Sequence, residues 1–267
     1  MDTDPPDHVL RTATADAVIA AANAIKERFS IDARPADRAD INARIEANDE
    51  VSMRILREHL AKVRPEARIV EDELAAGLLP QGEWWIVDPV EGAINQIHGM
   101  ADWCVSATLI RDNRPVVTAV HFPLTGDTYS ALKDAGAWQN DVPLSVSAKA
   151  DINAAMVGTG QASPGESRKT HEQIGASVTL MLQTALTVRV SVPATVQLVQ
   201  VAAGRMDAFW QFSDVLSGIV SGALLIEEAG GTITDANGAP WSFESKHFVA
   251  TTPALSAAVT KALSRLV

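Results

Sequence analysis

Short apolar runs of strand length alternate with helical periodicities from one end of this 267-residue chain to the other, and that alternation restricts it to layered α/β architectures. The spacing of Val9, Ala13, Val18, Ala22, Ile25 and Phe29 predicts a long helix over 8–29. Val51, Ile55, Leu56 and Leu60 predict a second over 49–63, stopped by Pro65. Residues 67–70 and 84–88 suit buried strands, joined by a polar loop with Gly77, Pro80 and Gly82. A meander follows over 104–111, 115–122 and 128–132, its turns marked by Asp112-Asn113 and Thr125-Gly126. The chain then divides into an N-terminal α+β half, 1–145, and a C-terminal α/β half, 146–267, with no repeat or linker between them. The second half reads as strands at 156–159, 208–211 and 248–250, a loop at 161–166, and helices at 169–183, 194–204, 215–229 and 253–266. Gly204 and Gly230 follow two of these helices, where a left-handed residue is needed.

Composition narrows the function classes. Apolar residues make up 47% and charged residues 21%, the balance of a globular protein. A formal charge of −11 argues against a nucleic-acid partner, which needs a basic face. It leaves room for a phosphorylated small molecule, because a bound divalent cation reverses the local sign. Apolar runs such as 218–226 are too short to cross a bilayer, and the acidic opening Met1-Asp-Thr-Asp-Pro-Pro has no leader character; a cytoplasmic protein is expected. The single cysteine, Cys104, excludes an intrachain disulfide and a thiolate zinc cage, and its apolar surroundings read as a packed thiol. Most of the six tryptophans read as core, with Trp210 as the exception available for stacking on a ligand. His98 reads either as a cavity acid–base group or as a surface histidine. Of Glu227 and Glu228, one should be buried or capped and the other solvated.

The chemistry is concentrated in three acidic clusters at strand ends or a helix start: Glu71-Asp72-Glu73 after 68–70, Asp88-Pro89-Val90-Glu91-Gly92 after 84–87, and Asp214 ahead of the apolar helix. Hard divalent cations take oxygen ligands, which carboxylates from separate strand ends can supply jointly. Taken singly, each cluster reads equally well as a solvated loop or a cap, Asp214 being a good helix N-cap. Pro89 fixes φ and lacks an N–H, so the chain is expected to turn there. Gly92 permits close approach, and the amides after it open a helix toward an anion.

These stretches resemble a family. Trp85-Ile-Val-Asp-Pro-Val-Glu-Gly-Ala-Ile-Asn95 is similar to the W-[IV]-[IV]-D-P-[IL]-D-G-T-x-N signature of inositol monophosphatases, fructose-1,6-bisphosphatases and bisphosphate nucleotidases. Ser213-Asp-Val-Leu-Ser-Gly218 with Leu225-Ile-Glu-Glu-Ala-Gly-Gly231 resembles the second signature, and Ile69-Val-Glu-Asp72 the acidic segment ahead of the first. The resemblance is colinear from about residue 8 onward. It implies an αβαβα sandwich, a homodimer, and Mg²⁺ held by Glu71, Asp88, the Val90 carbonyl, Glu91 and Asp214. It further implies that Glu71 and an acid at the start of the second helix activate water, and that Gly92, Ala93 and Gln211 lie on the substrate face. Arg189, just ahead of the region that meets substrate, reads equally as an anion-binding group or as half of a structural ion pair.

The departures cluster. Glu91 stands where the family has aspartate, lengthening the reach by roughly the 1.5 Å of one carbon–carbon bond, whereas Mg²⁺ demands oxygen at about 2.0–2.1 Å. Ala93 replaces a threonine that positions the attacking water, and loss of one such group typically costs ~10²–10³ in rate. Asn48 aligns with the water-activating acid, with Asp49 beside it as the alternative. Val192-Pro193 replaces glycine and a small hydroxylic residue, Gln96 an aromatic, and Gln211 a substrate-contacting glutamate. Two functions lead: a Mg²⁺-dependent phosphomonoesterase for a small polyol, sugar or nucleoside phosphate, or a member repurposed to another reaction or to binding; a purely structural partner protein ranks behind both.

Overall fold

A computed structural model of the chain describes residues 7–71, 77–161, 165–213 and 216–267. Alanine is frequent on the inner face of the first helix, α1 (Asp7–Lys26), where Ala17, Ala21 and Ala22 are fully buried and let the helix lie close on a sheet. Beside it runs α2 (Arg38–Val63). The sheet beneath contains β1 (Arg68–Ile69), β2 (Glu83–Glu91), β3 (Cys104–Arg111), β4 (Arg114–Phe122), β5 (Asp127–Leu132), β6 (Gly136–Gln139) and β7 (Val142–Pro143), side by side in chain order. Only β1 and β2 pair in parallel. The short helix α3 (Ala93–Ile97) follows β2.

The second sheet holds β8 (Met156–Thr159), β9 (Thr187–Val190), β10 (Ala208–Gln211), β11 (Thr232–Thr234) and β12 (Phe248–Thr251) in the order β11-β12-β10-β8-β9. Helices α5 (Ala194–Ala202) and α6 (Ser217–Glu228) lie between the sheets, while α4 (Arg168–Leu182) and α7 (Ser256–Leu263) cover the outer face of the second. The result is the αβαβα sandwich. One apolar cluster joins Val120, Tyr129 and Ala131 of the first sheet to Phe209 and Phe248 of the second through Leu198, Leu224 and Leu225 of the middle helices. The two middle helices touch at Gly222, where an added Cβ would come within 2.4 Å of Leu198, so only glycine allows this approach. No described helix is long and apolar enough to cross a membrane.

Three expectations change. The second helix begins at Arg38 rather than 49, because the Asp37 carboxylate caps it by accepting the Asp40 N–H (2.9 Å); its first turns are largely exposed and carry no apolar period to read. Strand β2 does not turn at Pro89 but continues to Glu91 through a bulge, where a residue without an N–H leaves no ladder bond unmade. Trp210 is sealed in the core, 1% exposed, and its indole N–H donates to Ser177 Oγ (2.8 Å), so it does not offer a stacking face. Strands β6, β7, β9 and β11, of two to four residues, were not foreseen because they are too short to show a period. Cys104 is fully buried, and burial pushes its thiol up, away from the thiolate a nucleophile requires.

Of the glutamate pair, Glu228 caps a turn of the first sheet by accepting the N–H groups of Asp134 and Gly136 (2.8 Å each), and Glu227 is the exposed one, its carboxyl held above the ordinary range by partial desolvation and the charge of Glu228. Glu228→Ala strands both donors and is expected to cost about 1–2 kcal/mol. A calorimetric melting midpoint lower by a few degrees checks this.

Candidate active site

Asp88 and Glu91 are three positions apart, a spacing that in an unbroken strand points side chains to opposite faces. The β2 bulge between them changes that register and brings their carboxyls within hydrogen-bonding reach of one another. The Val90 N–H donates to Asp88 Oδ1 (3.2 Å) and fixes the turn of the bulge. Desolvation, then the charge and hydrogen bond of Glu91, hold the Asp88 carboxyl well above the usual carboxylate range. Asp49, on the facing side of α2, adds to the same effect. The Glu91 carboxylate rests on the first turn of α6, where a Cβ at Gly218 would lie 3.5 Å from Oε1. Three acids from β2 and α2 thus act on one recess.

Asn48 is buried and bonded at both ends: Arg28 Nε donates to its Oδ1 (2.7 Å), and its Nδ2 donates to Gln96 Oε1 (2.8 Å). Asp49, not residue 48, is therefore the α2 side chain carrying charge toward Asp88. Gly92, at φ +87°, forms the left-handed link into α3. A Cβ there would approach the Asp102 carbonyl to 2.8 Å and the Pro193 ring to 3.0 Å. Asn95 Nδ2 ties this corner by donating to the carbonyls of Asp102 (2.8 Å) and Val192 (2.9 Å). Ala93 is half-buried beside it and offers no hydroxyl.

The remaining sequence candidates are placed differently. Glu71 is exposed, and both its oxygens accept from Arg57 (3.0 and 2.5 Å), whose guanidinium holds the carboxyl below its ordinary range. Gln211 is buried, with Nε2 donating to the Ser213 carbonyl (3.2 Å) and Oε1 against Gly160; Ser213 Oγ in turn donates to Glu166 (2.6 Å). Arg189 projects from β9, the sheet edge, and is exposed. His98 Nδ1 bonds the Ile94 carbonyl (2.6 Å) at the end of α3. Asp214 lies outside the described residues, which among themselves contain no group of three acids, histidines or cysteines close enough to hold a metal ion.

The donor chemistry of the recess nevertheless fits a hard divalent cation. Asp88 and Glu91 offer only oxygen, the donor a hard cation takes, and desolvation together with the neighbouring Glu91 carboxylate raises the Asp88 carboxyl. Arg28 and Arg57 were missed in the sequence; the visible trace was that amides replace the expected residues at both 48 and 96.

A family model described as the inositol monophosphatase family matches residues 6–267. The chain is 32% identical over 218 residues to an inositol-1-monophosphatase of Rhizobium meliloti, covering 81% of each. It is also 32% identical over 194 residues to a Nus factor SuhB of Xylella fastidiosa, covering 72% of this chain and 68% of that one. Among solved structures, SuhB of Mycobacterium tuberculosis superposes with a TM-score of 0.80 at 24% identity, covering 98% of each chain, a likeness of fold.

Proposed function

The chain belongs to the inositol monophosphatase family, and from that membership we propose that it hydrolyses the phosphate monoester of a small polyol, sugar or nucleoside with a Mg²⁺ ion at the Asp88–Glu91 recess. The observation that carries the reading is the bulge that gathers these two carboxyls, with Asp49 nearby, where the family's metal motif falls. Asp88, Glu91 and the Val90 carbonyl would hold the ion, joined by Asp214 and, once freed from Arg57, Glu71. When bound, such an ion supplies a Lewis acid for the phosphoryl group and an acidified water.

The chain's own residues do the rest. Asp49 is the acid placed to take a proton near the recess, since the Asn48 amide has no basic site and is committed to Arg28 and Gln96. The Gly92 and Ala93 amides would face the phosphoryl oxygens, whereas Gln211 would meet substrate only by giving up its bond to the Ser213 carbonyl and Arg189 only by reaching in from the exposed β9 edge. The exposed apolar side chains of Leu182 at the end of α4, Leu186 just before β9 and Val190 in β9 support a homodimer, and the cytoplasm is the compartment proposed.

The lost hydroxyl at Ala93 and the locked amide at Asn48 favour a second reading, in which the scaffold serves another reaction or binds a small molecule. Phosphate release from a panel of cyclitol, sugar and nucleotide monophosphates, with Mg²⁺ and with EDTA, decides between them. Release that depends on Mg²⁺ and stops with EDTA is expected; background release from every ester transfers the case to the second reading.

A further inference from the structure

Behind position 48, away from the carboxylates, lies a cavity of about 370 Å³ between the segment that follows α1, the middle of α2 and the end of α3. Asn48 and Gln96, 5% and 2% exposed, form its polar floor, Arg28 and Arg44 stand at its rim, and alanines and Ile97 make its walls. The polarity of the floor follows from elementary hydrogen bonding. A guanidinium only donates, so the Asn48 atom that meets Arg28 Nε must be Oδ1. That turns Asn48 Nδ2 toward Gln96 and fixes Gln96 Oε1 as the acceptor. What remains for an occupant is mostly donor: Gln96 Nε2 and the terminal nitrogens of Arg28, which donate to no described residue, outnumber the second lone pairs left on Asn48 Oδ1 and Gln96 Oε1. Arg44 adds positive charge, partly balanced by Asp40 (2.6 Å).

We propose that this cavity is a second ligand site, separate from the Asp88–Glu91 recess, which takes the phosphate or carboxylate group of a small organic anion. A volume of this size suits a small metabolite, and a floor of donors with a guanidinium at the rim recognises an oxyanion in a chain that is otherwise strongly acidic. The asparagine is what makes the site. Aspartate at 48 would accept from both Arg28 and Gln96 Nε2, neutralise the guanidinium and present Gln96 Oε1, an acceptor, to the cavity.

The test is calorimetric titration of the whole chain, in EDTA, with inorganic phosphate and separately with succinate. Saturable binding of at least one is expected, and whichever binds identifies the oxyanion. Arg28→Gln and the isosteric Asn48→Asp should each weaken it by at least about tenfold; Arg44→Gln, at an exposed position, should weaken it less, and Asp88→Asn should leave it unchanged. No saturable binding of either anion, or binding abolished by Asp88→Asn but indifferent to Arg28→Gln and Asn48→Asp, overturns the proposal. Because EDTA removes divalent cations, either result stands apart from the outcome of the phosphatase assay.

Discussion

Asp88→Asn is expected to lower Mg²⁺-dependent phosphate release by ~10²–10³ or more while raising the melting temperature by a few degrees. The first effect follows from removing one of the carboxylates that would hold the cation the reaction needs, since loss of one stabilising group commonly costs that much rate. The second follows from the metal-free state. Burial, with the charges of Glu91 and Asp49 close by, disfavours the ionised Asp88 carboxyl, so replacing it with a neutral amide removes a desolvation and repulsion cost that folding must otherwise overcome. About 1 kcal/mol of relief corresponds to roughly 2–4 °C for a chain of this size. Activity and scanning calorimetry in EDTA measure the two effects independently. A variant that loses stability along with activity would show that Asp88 is a structural acid and not a site for a cation.

Trp210→Ala should be the most damaging single truncation, at about 3–5 kcal/mol and a melting midpoint lower by on the order of 10 °C. The indole is sealed at 1% exposure, packs with Met181, Phe212 and Val249, and has its N–H satisfied by Ser177. Alanine leaves a cavity and removes the donor to Ser177 Oγ, whose own hydroxyl stays bonded to the Ile174 carbonyl (2.8 Å). Trp210→Phe should recover most of the packing and lose only the hydrogen bond, about 1 kcal/mol. Chemical denaturation compares the two directly. Near-normal stability of Trp210→Ala with a raised KM would return this side chain to the substrate face.

Much of the architecture was legible because it rests on short-range pattern. The apolar periods of α1, α4, α5 and α6 and the apolar runs of β2 to β5 are local signals, as are Gly204 and Gly230, both found at positive φ. The motif around Asp88 was legible too, since it is contiguous. What escaped depends on partners distant in the chain. Arg28 and Asn48 are 20 residues apart, Asn48 and Gln96 are 48 apart, and the Arg57–Glu71 contact spans a strand and a turn. No periodicity encodes such pairings. Even the gathering of Asp88 and Glu91 hinges on a bulge, and proline there predicted a turn because an N–H was missing, whereas the bulge tolerates that absence.

The helical layer common to both sheets also governs the order in which a growing chain can bury itself. The first sheet is fully synthesised by Pro143, and α1 and α2 are ready to cover its outer side, but its inner side waits for α6, which ends at Glu228. At ribosomal speeds of about 5–20 residues per second, those 85 intervening residues (228 − 143) take on the order of ten seconds. Throughout that interval a broad seven-stranded surface carrying Val120, Tyr129 and Ala131 lies bare to solvent, exposed apolar surface of the kind that invites aggregation, well before the protein has an active site to protect.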